Sequence, residues 1–135
     1  MSALSLENAE RHARAALAEA RRRSLNRLSV AVIDASGNLK VALREDGAGV
    51  YGVDIALGKA RAALGFGCTS GQIADALAGN PLAGPSVLAV LQGRVVLLPG
   101  GVLIQDAGGT VIGAIGAAGD APANDEAAAR AGLAA

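Results

Sequence analysis

Two short runs of branched residues joined by Ala35-Ser36-Gly37-Asn38 constrain this chain more than any other feature. They lie within residues 28–59, LSVAVIDASGNLKVALREDGAGVYGVDIALGK. Leu28 to Asp34 is β-branched and short, so it reads as a buried strand. Gly37 and Asn38 are the residue types that accept the positive φ of a tight hairpin turn. Leu39 to Leu43 then returns as a second strand. Such a hairpin belongs to an antiparallel sheet, and helices must cover at least one face of that sheet.

The flanking segments supply the helices. Leu6 to about Arg23 carries Leu6, Ala9, Ala13, Ala16, Leu17 and Ala20 at helical spacing, with Ser5 as the predicted N-cap. The basic run Arg21-Arg22-Arg23 falls at its C-terminal end, where the helix dipole favours cations. After Gly47 and Gly49 the period becomes helical again, from Val50 to about Phe66. Ser70 is the expected cap of a shorter helix through Ile73 and Leu77, and Gly79-Asn80-Pro81 stops it. Leu82 to Pro85 reads as loop, and Val87 to Leu91 as a strand or a helical turn. Val95 to Leu98, Val102 to Gln105 and Thr110 to Ala117 read as strands, the last two joined by Asp106-Ala107-Gly108-Gly109. Asn124 or Asp125 is the expected cap of a final helix ending near Leu133. The predicted order is α-β-β-α-(α)-β-β-β-α. This is one α+β domain over residues 1–135, with an antiparallel sheet of about five strands flanked by helices.

Composition excludes several function classes. Twelve basic and twelve acidic residues balance, so there is no basic footprint for nucleic acid. Tyr51 and Phe66 are the only aromatic residues, too few for a base-stacking platform. Cys68 is the sole cysteine and His12 the sole histidine, so no intramolecular disulfide forms and no protein-only metal site is expected. His12, on the first helix, reads as a surface histidine, with haem or metal ligation as the alternative. No segment reaches the roughly 20 uninterrupted apolar residues of a membrane span, and the N-terminus lacks a signal-like apolar core. A cytoplasmic protein without membrane contact is the expectation. The 52% hydrophobic content points to a homo-oligomer, because obligate interfaces are more apolar than ordinary surface.

Chemistry has few places to live in such a chain. Arg44 offers a planar donor fork for a carboxylate or phosphate. Asp46, just before Gly47, reads either as a helix cap or as an acid/base. Lys59, on the following helix, reads as a solvated lysine or as a base beside the sheet. Gly100-Gly101 and the strand glycines Gly113, Gly116 and Gly119 mark close backbone approach or main-chain donors to a ligand. Their GxxGxxG spacing lies on a strand and does not open a helix, so a dinucleotide-binding reading is rejected.

The phrase VAVIDASGNLKVALREDGA, the helix segment IALGKARAA, the pair GG, and VIGAIGAAGD followed by NDEAAARAG together resemble the GlcG/HbpS family, which includes the C-terminal domain of PduO-type proteins. The resemblance covers nearly the whole chain. It implies a homo-oligomer with a small-molecule ligand and a pocket near Arg44, Asp46, Lys59 and Gly100-Gly101, with Gly47 and Gly116 also at the ligand. Haem, another tetrapyrrole or a small carboxylate metabolite is the implied ligand, and haem the one candidate cofactor. The alternative is a cofactor-independent isomerase, lyase or hydrolase acting on a small organic acid. There Asp46 or Lys59 would be acid or base and Arg44 the carboxylate anchor. The chain departs from the family pattern where Arg61-Ala62 follows the Lys59-Ala60 pair and Val102-Leu103 follows the two glycines.

Overall fold

The structure, a computed structural model, describes residues 3–135. Nine elements follow in order: α1 (Leu6–Arg22), β1 (Ser29–Asp34), β2 (Leu39–Arg44), α2 (Gly52–Phe66), α3 (Ser70–Leu77), α4 (Ala83–Val90), β3 (Gly101–Gln105), β4 (Val111–Ala118) and α5 (Pro122–Leu133). The sheet has four antiparallel strands in the order β2-β1-β4-β3. The α+β class with helices on an antiparallel sheet agrees with expectation. The strand count is one lower.

The missing strand is Val95 to Leu98. It runs as a loop whose Val96 N–H donates to Gly58 O of α2 at 3.1 Å. That bond joins the segment to a helix and not to the sheet. Residues 83–90, expected in part as loop, form α4. Its sequence AGPSVLAV is apolar but for Ser86, so no period marked it as a helix, and none of its residues is buried.

Each face of the sheet takes different partners because side chains alternate along a strand. One face sends Val30, Val32, Val102, Ile104, Ile115 and Ala117 against the alanines of α1 and α5. The other sends Ile33 and Ala114 against Ala60 and Ala63 of α2. Alanine on the helices and branched residues on the strands let the layers approach closely. The closest approach is at glycine. A Cβ on Gly116 would collide with Ala56 O, and one on Gly101 with Lys59 O. Helix α2 thus lies backbone to backbone on β4 and β3.

The two hairpins are near copies of one another. Asp34 Oδ1 accepts from the N–H groups of Ser36 and Asn38, each at 3.0 Å. Asp106 Oδ1 accepts from Gly108 and Thr110 at 2.9 and 3.0 Å. Gly37 and Gly109 take φ of 83° and 87° at equivalent positions. The sequences DASGN and DAGGT encode the same aspartate-organised turn. With β1 antiparallel to β4, both turns fall at the same end of the sheet.

Helix ends refine the expected caps. Ser5 caps α1, accepting from Asn8 N–H at 3.1 Å. Thr69, and not Ser70, caps α3 in a reciprocal capping box with Gln72. Helix α5 starts at Pro122, whose fixed φ suits the first helical position, so Asn124 and Asp125 lie inside the helix and do not cap it. Asp46 caps nothing, because α2 begins six residues later. The basic run at the end of α1 is used: Glu19 meets Arg22 and Arg23 at 2.7 and 2.6 Å. Arg21 Nε stands 2.9 Å from Glu45 Oε2, out of line for a hydrogen bond.

Candidate functional site

The segment that joins β2 to α2 turns the corner of the sheet. Glu45 anchors it: its N–H donates to Leu28 O, and its Oε1 accepts from Leu28 N–H at 2.7 Å. Gly47 takes φ of 84°, a conformation that favours glycine. The chain then passes Ala48-Gly49-Val50-Tyr51 and enters α2 at Gly52. Across the sheet, β4 ends at Ala118, and Gly119 takes φ of 141°.

These two chain passages enclose a cleft of about 610 Å³. Its wall includes Arg27, Gly47, Tyr51, Gly52, Ile55 and Gly119. Glycines leave main chain bare on both sides. Val50 and Tyr51 on the rim are 82% and 73% exposed, unusual for the chain's only tyrosine and a β-branched residue. Arg27 is about half exposed and pairs loosely with Glu45, its Nη1 3.7 Å from Oε2.

Arg44 stands beside this cleft. It pairs with Ser29, which pairs in turn with Ala118 on β4. Directly paired residues share a face of the sheet, so Arg44, Ser29 and Ala118 form one row facing α2. Ala118 lines the cleft. Arg44 is exposed, and it has no ion pair among the described residues. Asp46 is exposed as well, and no hydrogen bond or ion pair joins it to Arg44.

Lys59 lies elsewhere. It is 2% exposed, in a helix face otherwise made of Ala56, Gly58, Ala60, Ala62 and Ala63. Its Nζ donates to Ala117 O and to Asp125 Oδ2, both at 3.0 Å. Asp125 is 1% exposed, and its other oxygen accepts from Asp120 N–H at 2.9 Å. Burial pushes the Asp125 carboxyl above the ordinary aspartate range, outweighing the opposite pull of the Asp120 N–H and of Lys59. Lys59 thus ties α2, β4 and α5 together. Gly100 packs on the same ammonium group: a Cβ there would stand 2.8 Å from Nζ.

Gly101 N–H donates to Ser70 Oγ at 2.8 Å, and Ser70 Oγ donates to Leu98 O at 2.6 Å. The Gly100-Gly101 pair and Gly116 are therefore engaged in packing and main-chain bonds. Of the expected site residues, Gly47 alone lines the cleft, and Arg44 flanks it. Lys59, Gly100, Gly101 and Gly116 cluster at the α2–sheet interface, and no hydrogen bond or ion pair among the described residues joins Lys59 to Arg44 or Asp46. The expectation of Lys59 as a solvated side chain is corrected by its burial, and the run of buried alanines around it was the available signal.

Sequence reading missed Arg27 and Tyr51 at the cleft; Gly119, singled out with the other strand glycines, does line it. The lone tyrosine, in the run Gly49-Val50-Tyr51-Gly52, was the signal for one of them. The lone histidine also differs from expectation. His12 is 8% exposed, with Nδ1 2.8 Å from Gly132 O of α5. A carbonyl oxygen can only accept, so Nδ1 carries the proton of that hydrogen bond. A Cβ on Gly132 would stand 2.6 Å from His12 O, so the two helices touch at this point. No group of three potential metal ligands occurs among the described residues, and none of their helices is long and apolar enough to cross a membrane.

A comparison with curated proteins gives no match. Among solved structures, HbpS is 35% identical over 99% of this chain and 90% of its own, with a TM-score of 0.86. PduOC in its haem complex is 28% identical over 98% of this chain and 94% of its own, with a TM-score of 0.87. The Klebsiella pneumoniae protein ORFY is 27% identical over 99% of this chain and 91% of its own, with a TM-score of 0.89. The family model described as "Haem degrading protein HbpS-like" matches residues 4–134, so the chain belongs to the HbpS-like family.

Proposed function

We propose that this chain is a small-ligand-binding protein of the HbpS type that holds haem, or a related carboxylate-bearing molecule, in the cleft between the β2–α2 corner and the end of β4. One observation carries this reading: an open cleft of about 610 Å³ at the corner sits beside Arg44, which has no ion pair among the described residues, and under an exposed apolar rim. Apolar walls with few polar groups are the usual make-up of a small-molecule site. The rim of Val50, Tyr51 and Ile55 suits the flat face of a tetrapyrrole, and Arg44 and Arg27 suit its propionates. Tyr51 is the one cleft residue of a type that ligates haem iron. The haem complex of the PduOC relative adds support for haem within this class.

In this reading Gly47 and Arg44 belong to the ligand site, with Asp46 at its outer edge. Lys59, Gly100, Gly101 and Gly116 hold α2 in place behind it. Lys59 has both hydrogen-bond partners inside the fold, which supports a structural role over that of acid or base. Exposed Leu82, Val90 and Phe66 support self-association into a homo-oligomer, which sedimentation velocity reads directly.

The test of binding is a haem titration followed at the Soret band. Saturable binding by the parent chain is expected, with affinity lowered about tenfold in Arg44→Gln through loss of a charge-assisted contact. Tyr51→Phe should alter the Soret position. Haem that fails to bind, or that binds equally to the parent and both variants, would refute the cleft as the haem site.

A further inference from the structure

A second cavity, of about 300 Å³, lies at the hairpin-turn end of the sheet. That is the small end of the range for ligand pockets. Leu4 and Ile112 give it apolar wall, and Asp34, Ser36, Lys40 and Thr110 give it polar groups. Strand β1 runs from Ser29 near the cleft to Asp34 at this cavity, a span of roughly 17 Å. The cavity and the cleft have no lining residue in common.

Each hairpin carries one extra residue in its return strand. Val32 and Ile33 pair with Val41 and Leu39, which leaves Lys40 without a partner strand residue. Ile104 and Gln105 pair with Gly113 and Val111, which leaves Ile112 without one. Both extra residues fall at the same distance from their turn aspartate, and both line the cavity. A bulge of this kind re-aims the side chain it frees. In the second hairpin that side chain is isoleucine, and it packs on the same core as Leu4. In the first it is lysine, half-buried, with no ion pair among the described residues.

Asp34 brings the opposite charge. It stands across from Gly113 in the sheet, and Leu4 Cδ2 would be 2.9 Å from a Cβ on that glycine. Directly paired residues share a face, so the Asp34 side chain lies on the face that Leu4 covers. Its Oδ1 is taken up by the turn, accepting from Ser36 and Asn38 N–H. Its Oδ2 has no partner among the described residues, Lys40 included.

We infer that this cavity is a site for a small zwitterion with an aliphatic arm, an α-amino acid of the leucine kind. Its ammonium meets Asp34 Oδ2, its carboxylate meets Lys40 Nζ, and its arm lies on Leu4 and Ile112. This goes beyond the binding reading of the cleft and does not depend on it. The two charges decide the class. A plain carboxylate would serve Lys40 and leave Asp34 facing an apolar group, and a plain amine would do the reverse. Only a ligand of both signs makes charge-assisted bonds, the strong ones, to each. A lysine on the edge strand β2 would also discourage pairing with another strand; if that were its whole role, no probe would bind.

The test uses the full chain labelled with nitrogen-15 and three probes: L-leucine, 4-methylpentanoate (leucine without its ammonium) and 3-methylbutylamine (leucine without its carboxylate). Leucine is expected to move the amide resonances of Ser36, Val111 and Ile112 saturably and to leave Tyr51 and Gly119 in place. Each analogue lacks one charge-assisted contact and should bind about tenfold more weakly or worse. Lys40→Gln should weaken leucine by a similar factor and bring it level with the amine. Asp34→Asn keeps an oxygen for the two turn N–H groups and should bring leucine level with the carboxylate. If Asp34→Asn loses the native spectrum, Lys40→Gln carries the test, since that side chain has no ion pair in the fold to lose. No response to leucine up to its solubility, an analogue that binds as well as leucine, or an unchanged response in Lys40→Gln would each overturn the site.

Discussion

Removal of the Lys59 ammonium by Lys59→Met tests whether this residue holds the fold. Methionine keeps most of the unbranched stem, so the change deletes charge more than volume. Lys59 and Asp125 are each at most 2% exposed and meet at 3.0 Å. Breaking a buried pair by removing one partner typically costs about 3–5 kcal/mol, because the other charge stays buried. Asp125 keeps the Asp120 N–H on its second oxygen, which puts the expected loss near the lower end, about 3 kcal/mol. That is a large share of the roughly 5–15 kcal/mol that holds a domain of this size together. The chain has no tryptophan, so urea unfolding is best followed by far-ultraviolet circular dichroism. Asp125→Asn should be costly too, and the double variant should lose about 1–3 kcal/mol less than the sum of the two. The pH dependence has a definite sign. The folded carboxyl of Asp125 titrates above its ordinary value, so its favourable contribution is complete below the ordinary value of 3.8 and is lost as pH rises through the folded value. Loss of Lys59 removes an influence that lowers it. The deficit of Lys59→Met should therefore shrink as pH falls from neutrality toward about 4. A loss under about 1 kcal/mol at neutral pH, additive variants, or a deficit independent of pH would refute this account.

Two further predictions concern packing and charge. Gly116→Ala should cost about 3 kcal/mol or more by the same unfolding assay, because its Cβ would collide with Ala56 O of α2 and neither backbone can yield easily. Glu19 is held down to about 2 by hydrogen bonds from Arg22 and Arg23; its carbon-13 carboxyl resonance should titrate near there. Its contribution to stability should persist above pH 4.5 and fade as pH falls through about 2.

The hairpins were legible in the sequence because their signals are local. DASGN and DAGGT carry the turn within five residues, and the branched runs flank them directly. Helix α1 was legible for the same reason, through its alanine period and Ser5. What stayed hidden depends on distant partners. Val95 to Leu98 has strand-like residues, but its partner is a helix carbonyl about forty positions earlier. Lys59 and Asp125 are 66 positions apart, and His12 and Gly132 are 120 apart. No window of sequence joins such pairs. The candidate site divided along the same line. Arg44 and Gly47 stand at a turn whose chemistry is written locally. Gly119 joins Gly47 at the cleft only because β4 ends beside the β2–α2 corner.

The glycine seam between α2 and the sheet bears on how the cleft is entered. At Gly101 and Gly116 no side chain separates helix backbone from strand backbone, and Lys59 pins the same interface from within. Such a contact has no layer of rotamers to slide over. The end of α2 is therefore fixed in space by folding itself, before any ligand arrives, and the ordering entropy of that wall is already spent. On the proposed binding reading, adaptation falls to the loop from Gly47 to Tyr51, and association at this corner should proceed without any displacement of the helix.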